Sequence, residues 1–340
     1  MNPELVQIEV FGKEILKRVM AEDEPVDLRQ WMTETIARMG GAGETAAMTW
    51  EESFALVEKM LDDYAAIANT PEAERKVLSW PWASWNKLID PLEDGMLAVI
   101  TAPDGQGKTI YAEMISEFWA SQKHHVVFVH YELNRKLMMQ RRNARHAQIT
   151  SRDQKAGHLT PEQRQQIRER NAELESWNGC ITYLHTPGWT MERTIAELNR
   201  LHAEGLCDVV VLDYLEKVAA SKRQLQMFGS QLYQRQADDV EQLKNFAESS
   251  GVPVLEVAQM SKKGKGEAFE TLDRNSMTGA ADKSNKANLV ILMRREREGE
   301  GYSNTVSVLI DKNTMGGTGT ITQMMQPEYF RVLDIERRKP

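Results

Sequence analysis

The octapeptide Ala102–Thr109, APDGQGKT, has two glycines, one on either side of a glutamine, followed directly by a lysine and a threonine. Glycines let the backbone turn its N–H groups inward around phosphate oxygens, and a helix beginning at the lysine adds partial positive charge. Lys108 then serves the β- and γ-phosphates of ATP, and the Thr109 hydroxyl can bind Mg²⁺. The alternative is a glycine-rich turn with a surface lysine. We predict a phosphate loop whose nucleotide contacts come from Pro103, Asp104, Gly105, Gln106, Gly107, Lys108 and Thr109.

The first position of this loop is Ala102, where the best-known form of the pattern has glycine. That position begins the loop and does not touch the γ-phosphate. Alanine is therefore compatible with the loop as long as its φ angle is negative.

A second metal ligand is predicted at Asp213, which ends the apolar run of "CDVVVLDYLEKV". A carboxylate at the carboxyl end of a buried strand lies where it can hold Mg²⁺ through water. An apolar run followed by Asp is common in itself, so this interpretation depends on the phosphate loop.

Two further strand ends carry polar side chains that could act on the γ-phosphate. Glu132, at the end of "VVFVHYE", could orient and polarise a water molecule, or it could be a carboxylate favoured by the dipole of the next helix. Gln259, at the end of "VPVLEVAQ", could sense the γ-phosphate, or it could be an exposed amide. We predict a catalytic role for Glu132 and a sensor role for Gln259.

The elements that must position these residues alternate along the chain from Met96 onward. Short β-rich runs (MLAVI, VVFVHY, CITYLH, DVVVLDY, VPVLEVAQ, LVILMRR) are separated in several places by helical patterns. Near-continuous apolar strands between helices indicate a parallel sheet covered on both faces, which is an α/β fold. A later pair of runs, "TVSVLIDK" and "GTITQMMQ", flanks a glycine-rich turn and predicts a hairpin. His124 and His125 are interpreted as a solvated helix end, and Met138 and Met139 as core.

The part of the chain before this core divides into two predicted segments. Residues 1–70 form a small acidic helical region, and 71–95 form a linker and a loop leading into the core of residues 96–340. That loop holds Trp80, Trp82 and Trp85, which either pack against the following domain or offer a stacking platform. We expect packing.

Bulk properties restrict the class of protein. The 340 residues carry a net charge of −8. Residues 1–76 hold 16 acidic and 8 basic side chains, so the remainder is neutral and any contact with DNA must use a local patch. The two cysteines suit a reducing cytoplasm, and no apolar run reaches the roughly 18 residues of a membrane span. We therefore expect a cytoplasmic protein with no membrane association.

Taken together, the motifs resemble the RecA-type ATPase core of the DnaB-like replicative helicases, the superfamily 4 ring motors. The resemblance covers about residues 77–326 and rests on APDGQGKT, "VHYELNRKLMMQRR", "GHLTPEQ", "VVVLDYLEKV", "VPVLEVAQMSK", "ANLVILMRRE" and "VLIDKNTMGGTGT". It implies an α/β, RecA-like parallel-sheet P-loop ATPase that uses ATP and Mg²⁺, with Glu132 as base and Gln259 as sensor. It also implies single-stranded DNA as a partner, a homo-oligomer that forms a hexameric ring, and a loader or primase.

The chain departs from this family in two places. Lys312 matches a family lysine that reaches the neighbouring subunit's nucleotide, but Thr314 stands where the family has a second cation, an arginine. Such a cation can be worth several powers of ten in rate. On its own, Lys312 would be an ordinary surface lysine. The acidic N-terminal region is about half the length of the family's N-terminal domain.

Two segments are predicted to contact DNA. "SKKGKG" follows Gln259 and supplies Lys262, Lys263 and Lys265, while "NSMTGAADKSNK" resembles the family's DNA-gripping loop and supplies Gly279 and Lys283. Small residues let backbone N–H groups approach phosphates, and few aromatic residues are present for base stacking. The alternative for the lysines is a solvated turn.

The sequence leaves more than one function open. The first is an ATP-driven ring motor that translocates on single-stranded DNA and separates duplexes during replication. The second is a RecA-fold clamp that binds DNA or a partner under the control of ATP and hydrolyses slowly. A recombinase-like filament fits "LDYLEKV" and the "IDKN" hairpin less well.

Overall fold

The computed structural model of the chain describes residues 13, 15, 18, 31, 32, 49–70, 77–132, 135–177, 180–259, 285–299 and 301–335. The chain divides into two compact units, Met1–Arg75 and Lys76–Pro340.

The first unit is helical wherever it is described before residue 49, at Lys13, Ile15, Arg18, Trp31 and Met32. Its continuous helix is α1 (Trp50–Asn69). Large apolar side chains recur along α1 at spacings of four and three residues, which places Trp50, Phe54, Val57, Leu61 and Tyr64 on one face. The described residues of this unit are helical, as predicted, and the bounds of the predicted region, 1–70, stay a prediction.

The second unit alternates strands and helices in chain order. Before the fourth strand come α2 (Ala83–Asn86), β1 (Leu97–Ala102), α3 (Lys108–Ser121), β2 (His125–His130), α4 (Arg135–Ala147), α5 (Ser151–Ala156), α6 (Pro161–Glu175), β3 (Cys180–His185) and α7 (Met191–Ala203). Then follow β4 (Val209–Asp213), a 3₁₀ turn (Leu215–Lys217), α8 (Lys222–Phe228), α9 (Leu232–Ser250), β5 (Val254–Gln259), β6 (Leu289–Arg294), β7 (Arg297–Glu298), β8 (Gly301–Tyr302), β9 (Thr305–Asn313), β10 (Gly319–Gln326), a 3₁₀ turn (Pro327–Tyr329) and β11 (Arg331–Asp334).

In the described part of the chain, nine strands form one sheet in the order β11-β10-β9-β6-β1-β5-β4-β2-β3. Strands β1 to β6 are mutually parallel, and β9, β10 and β11 extend the sheet in antiparallel fashion. The predicted parallel sheet and the β9–β10 hairpin are both confirmed. Strand β11 was not predicted, because its four residues do not form a recognisable strand pattern.

The sheet separates two hydrophobic cores. All six residues of β1 and all five of β4 are buried, as expected for strands covered on both faces. One core contains α3 and the tryptophans of residues 80–85, and the other contains apolar side chains of α7 and α9. Met138 is buried and Met139 packs against the first core, which confirms the prediction for both.

The tryptophans before the core pack against it, as predicted. Trp80, Trp82 and Trp85 are almost completely buried and contact Tyr111 and Trp119 of α3. The indole N–H of Trp82 donates to the carbonyl of Val332 at 3.0 Å. These side chains are core, and the stacking platform is excluded for them.

The prediction of a solvated helix end at His124 and His125 is wrong. Helix α3 ends at Ser121, His124 is buried, and His125 is the first residue of β2. The backbone N–H of His125 donates to Asp208 Oδ2 at 2.9 Å, which anchors the start of the strand. The strand therefore begins at His125, one residue before the apolar run Val126–Val129.

None of the helices in the described part of the chain combines the length and the apolar character that crossing a membrane would require.

Candidate nucleotide and catalytic site

The phosphate loop (residues 102–109) joins the carboxyl end of β1 to the first turn of α3. Gly105 and Gly107 have φ angles of +75° and +97°, and Gly107 caps α3. These left-handed conformations favour glycine. The loop therefore turns sharply and presents the amino end of a helix, an arrangement that attracts anions.

Ala102 is the last residue of β1 and is completely buried. It is not among the described residues that have a positive φ, so alanine is compatible with its backbone. Its carbonyl oxygen accepts a hydrogen bond from Lys108 Nζ at 2.7 Å, and that of Pro103 accepts another at 3.1 Å. The ammonium group is thereby held inside the loop.

Thr109 and Asp213 meet at the point where β4 ends. The Thr109 hydroxyl donates to Asp213 Oδ2 at 2.8 Å. Burial raises the pKa of Asp213 to about 6, against the opposing effects of the Thr109 hydrogen bond and the charge of Lys108. Its second oxygen, Oδ1, is buried without a hydrogen-bond partner in the described structure.

A hydroxyl next to a carboxylate that has an unpaired buried oxygen is the ligand chemistry Mg²⁺ prefers. Across the described residues, no three His, Cys, Asp or Glu side chains form a group that could hold a metal ion by themselves. This pair therefore suits a cation whose remaining ligands are phosphate oxygens and water, and not an ion held by protein alone.

Glu132 lies two residues beyond the end of β2, so the strand stops earlier than predicted. Its carboxylate Oε1 accepts hydrogen bonds from the Tyr214 hydroxyl and from Lys217 Nζ, both at 2.8 Å. Lys217 chiefly, then Tyr214, lowers the pKa of Glu132, while partial burial and the charge of Asp104 oppose the shift. Glu132 is therefore ionised. Because the charge of Asp104 acts on the pKa of Glu132, the carboxylate lies near the phosphate loop.

Gln259 is the last residue of β5 and pairs in register with Ala102, so it lies beside the start of the phosphate loop. Its backbone N–H donates to Glu216 Oε1 at 3.1 Å. Strand β5 lies between β1 and β4 in the sheet. The carboxyl ends of β1, β5, β4 and β2 therefore bring Lys108, Gln259, Asp213 and Glu132 to one edge.

Lys312 is not part of this edge. It lies on β9 opposite Val290, which pairs in turn with Val99, three residues before the end of β1. Its Nζ donates to the carbonyl of Asn285 at 3.1 Å. The predicted DNA-binding residues Lys262, Lys263, Lys265, Gly279 and Lys283 lie outside the described residues.

A buried ion cluster that sequence reasoning missed joins the helices next to the site. The guanidinium of Arg145, on α4, contacts Glu113 at 2.7 Å and Glu117 at 2.9 Å, both on α3. All three side chains are almost fully buried. Helix α3 begins at Lys108, and α4 begins three residues after Glu132. The cluster thus fixes the loop helix to the helix that follows the candidate base.

A second contact missed from sequence supports the phosphate loop from the side. The Gln106 side-chain oxygen is buried and accepts the backbone N–H of Arg295. The Arg295 guanidinium donates to the carbonyl of Ser303 and lies over the ring of Tyr302, which in turn lies beside Gly105. The sequence holds no signal for this contact, because it links segments almost two hundred residues apart.

The sequence profile described as "DnaB-like helicase C terminal domain" matches residues 81–334, three quarters of the chain. The chain belongs to this family. The matched range begins within the segment of buried tryptophans and ends with the last residue of β11. The RecA-like α/β fold predicted from the motifs agrees with this membership.

Individual curated relatives have low sequence identity to the chain. The family members "Replicative DNA helicase DnaB" of Geobacillus stearothermophilus and "Replicative DNA helicase DnaC" of Bacillus subtilis (strain 168) are each 23% identical to the chain. The alignments cover 71% of this chain and 53% of each relative. The chain spans about half the length of the curated relatives it matches.

Two solved structures share the fold. A structure described as a DnaB-like replicative helicase and its interactions with primase aligns with a TM-score of 0.76 at 15% identity, over 98% of this chain and 76% of that one. The ATPase domain of G40P aligns with a TM-score of 0.72 at 17% identity, over 85% and 100%. At these identities the likeness establishes the fold.

Proposed function

We propose that the chain is an ATP-driven DNA helicase, a ring-forming motor that translocates on single-stranded DNA during replication. The observation that carries the proposal is the convergence of Lys108, Thr109, Asp213, Glu132 and Gln259 at one edge of the sheet. The switch from β1 to α3 at a glycine-rich turn is the geometry that binds triphosphates. Family membership supplies the link to DNA unwinding.

Each residue of the site has a distinct role in this proposal. Lys108 and the N–H groups of residues 103–109 hold the β- and γ-phosphates of ATP. Thr109 and Asp213 hold Mg²⁺, which would neutralise charge that develops on the phosphates. Glu132 accepts a proton from the attacking water. Gln259 contacts the γ-phosphate and passes its presence or loss to the segment that follows it.

The complete motor needs more than one copy of the chain. Because Lys312 lies away from its own phosphate loop, we propose that it serves the nucleotide of a neighbouring copy in a hexameric ring. Lys262, Lys263, Lys265, Gly279 and Lys283 would hold the DNA backbone. A loader or a primase completes the set of partners, and we assign the activity to the cytoplasm.

ATP hydrolysis measured with and without single-stranded DNA tests the proposal. The wild-type chain should hydrolyse ATP faster when single-stranded DNA is added. Glu132→Gln should lower turnover by about 100-fold or more, because a positioned general base contributes 10² to 10⁴ in rate. The same variant should still bind a fluorescent ATP analogue, since the amide keeps the size of the side chain and leaves Lys108 in place.

A matched control separates loss of the base from general damage. Glu173→Gln removes a carboxylate that is more than half exposed on α6, away from the phosphate loop, and should leave turnover unchanged. Equal turnover in wild type and Glu132→Gln would remove Glu132 from the mechanism. Absence of strand displacement by a DNA-stimulated ATPase would argue against unwinding.

A second candidate function, an ATP-controlled clamp with slow hydrolysis, is favoured by one observation. Thr314 occupies the position of the family arginine, and its backbone N–H donates to the carbonyl of Asn288 at 3.0 Å. Threonine supplies no charge to a transition state in a neighbouring copy. An ATPase that is slow and indifferent to DNA would favour the clamp over the motor.

A further inference from the structure

The segment after Asp213 contacts both polar strand ends of the site. Tyr214 and Lys217 bond to the carboxylate of Glu132, and Glu216 bonds to the backbone of Gln259. Leu215–Lys217 form a 3₁₀ turn, so three residues within a four-residue segment, Tyr214, Glu216 and Lys217, contact both Glu132 after β2 and Gln259 at the end of β5. We call Tyr214–Lys217 the bridging turn. The bridging turn therefore contacts the residues that follow or end both strands.

The contact between Lys217 and Glu132 engages one oxygen of the carboxylate that catalysis needs. Both Tyr214 and Lys217 donate to the same oxygen, Glu132 Oε1, at 2.8 Å. An oxygen that already accepts two hydrogen bonds, one of them from an ammonium group, is a poorer acceptor for the proton of a water molecule. Glu132 is tied to the bridging turn through Oε1 in this arrangement, and the two contacts make it a weaker base.

We propose that Lys217 is a positioning residue that holds Glu132 in an inactive arrangement, a proposal that rests on the function proposed above. Glu132 is released when the bridging turn moves together with Gln259. Gln259 ends β5 and its backbone N–H bonds to Glu216 of the bridging turn. A displacement of that strand end on binding of nucleotide or DNA would therefore reach Lys217 through Glu216.

The charges that surround Glu132 are consistent with this role. Lys217 and Tyr214 face it from the bridging turn, Asp104 from the phosphate loop, and Asp213 from the end of β4. Among these four, Lys217 is the cation. Once Lys217 moves away, Glu132 loses the contact that does most to lower its pKa, which favours acceptance of a proton.

The simpler explanation is an ordinary surface ion pair, since both side chains are almost half exposed. Such a pair adds little to stability and has no reason to affect turnover. The two explanations therefore differ in kinetics. A holding role affects the rate without DNA, while a surface pair affects neither rate nor stability.

The test measures kcat and KM for ATP, with and without single-stranded DNA, in Lys217→Gln. The DNA-free kcat should rise about two- to fivefold, the range expected when an exposed pair with one added hydrogen bond is lost. The KM for ATP should stay the same, and the ratio of DNA-stimulated to DNA-free rate should fall by the same factor. Thermal unfolding should not change.

Three further variants make the result specific. Lys217→Arg keeps the cation and should retain the wild-type rates. Tyr214→Phe removes the second hydrogen bond to Oε1 and should raise the DNA-free rate by a smaller factor. Lys222→Gln is the matched control, because it removes an exposed lysine at the start of α8, five residues along the chain. Its rates should equal those of wild type.

An unchanged or lower DNA-free kcat in Lys217→Gln would overturn the holding role, and so would an equal increase in Lys222→Gln. These outcomes are distinct from failure of the proposed function. If the wild-type chain hydrolyses no ATP under either condition, the helicase proposal itself is wrong. If wild type is stimulated by DNA and Lys217→Gln behaves identically, only the inference about Lys217 is lost.

Discussion

Gly107 is constrained both by its backbone conformation and by its neighbours. Its φ angle of +97° favours glycine, and a Cβ atom there would lie 2.4 Å from Met325 Cε. The end of a methionine side chain is adaptable, but Met325 is completely buried, so the core must absorb its displacement. Any side chain at position 107 therefore distorts the loop or the core beneath it.

Gly107→Ala should destabilise the chain by about 2–3 kcal/mol, the sum of a left-handed backbone penalty and a tight contact. It should also weaken binding of a fluorescent ATP analogue. Gly105→Ala is the matched control. Its φ is also positive, but the added Cβ would meet Tyr302 at an ordinary 3.6 Å. We expect a loss of about 1 kcal/mol there, measured by urea unfolding. Equal losses at both glycines would contradict the contribution of Met325.

Asp239 on α9 is a buried carboxyl group outside the candidate site. Burial raises its pKa to about 7, the hydrogen bond from Gln224 opposes the shift, and the charges of Glu192, Asp238 and Glu256 add to it. Gln224 Nε2 donates to Asp239 Oδ1 at 2.7 Å. Asp239 thus keeps its proton in the folded chain to a pH at which it is ionised in the unfolded chain.

This shift predicts a pH dependence of stability with a definite sign. Between the unfolded pKa of about 4 and the folded pKa of about 7, the folded state holds more protons. The contribution to the free energy of unfolding is complete below pH 4, falls as the pH rises through this window and is lost above pH 7. Asp239→Asn should remove that fall and gain about 4 kcal/mol over wild type at pH 8 relative to pH 4.

Urea unfolding at pH 4, 5, 6, 7 and 8, followed by circular dichroism, measures this difference. Asp94→Asn, at an exposed position before β1, is the control and should follow the wild-type curve. A parallel pH profile for Asp239→Asn and wild type would show that Asp239 titrates normally in the folded chain.

At the scale of elements, the contact between α3 and α4 depends on the buried guanidinium of Arg145. Removing one partner of a buried ion pair leaves uncompensated charge in a low dielectric, which costs about 3–5 kcal/mol. Glu113 and Glu117 retain weaker contacts to Arg141 and Arg142. Arg145→Met should therefore lower the free energy of unfolding by about 3 kcal/mol.

The matched control for Arg145 is Arg170→Met on α6. Arg170 pairs with Glu173 at 2.6 Å, but both side chains are more than half exposed, so the loss should stay below about 1 kcal/mol. Adding Glu113→Gln to Arg145→Met should recover part of the loss, because it removes a stranded charge. A similar loss in both arginine variants would mean that burial of the cluster does not matter.

The sequence was most informative where one segment alone determines the structure. The strands from β1 to β6 have short apolar runs bounded by turns, and the phosphate loop has its glycines at the positions with positive φ. Asp213 and Gln259 were predicted at strand ends because the carboxyl ends of parallel strands share one edge. The roles of these side chains remain predictions.

Contacts between distant segments could not be predicted. Arg145 is an ordinary basic residue in the sequence, and its burial depends on how α3 and α4 pack, a feature with no periodic signal. Lys217 follows the recognisable motif of Asp213, but its contact with Glu132 requires the loop after β2 to fold beside the bridging turn. The edge strand β11 is short and pairs only with β10 in the described sheet.

At the scale of the second unit, hydrogen bonds join the segment that begins it to the strands that end it in the described structure. The Ser84 backbone N–H donates to Asp334 Oδ2 at 2.9 Å, and Trp85 Nε1 donates to Gln323 Oε1 at 3.1 Å. With the bond from Trp82 to Val332, these contacts bury the indoles beneath β10 and β11. The tryptophan packing and the final strand therefore depend on each other.

A chain ending at Tyr329, before β11, should lose several kcal/mol of stability. It should also shift tryptophan fluorescence to longer wavelength, because Trp82 loses its hydrogen bond and gains contact with water. The matched control is a chain ending after Ile335, which keeps β11 and each of its described contacts. Emission spectra and urea unfolding of both chains provide the measurement. Identical emission from the two chains would show that β11 does not shield the indoles.

The hydrogen bonds between Ser84 and Asp334 have a practical consequence. Since Ser84 and Asp334 are in contact, a short linker could join the segments around them, and new termini could be opened at an exposed turn such as the one around Gly157, without changing which strands are neighbours. Circular permutants of this unit would let probes be attached beside chosen elements while the order of the sheet is preserved.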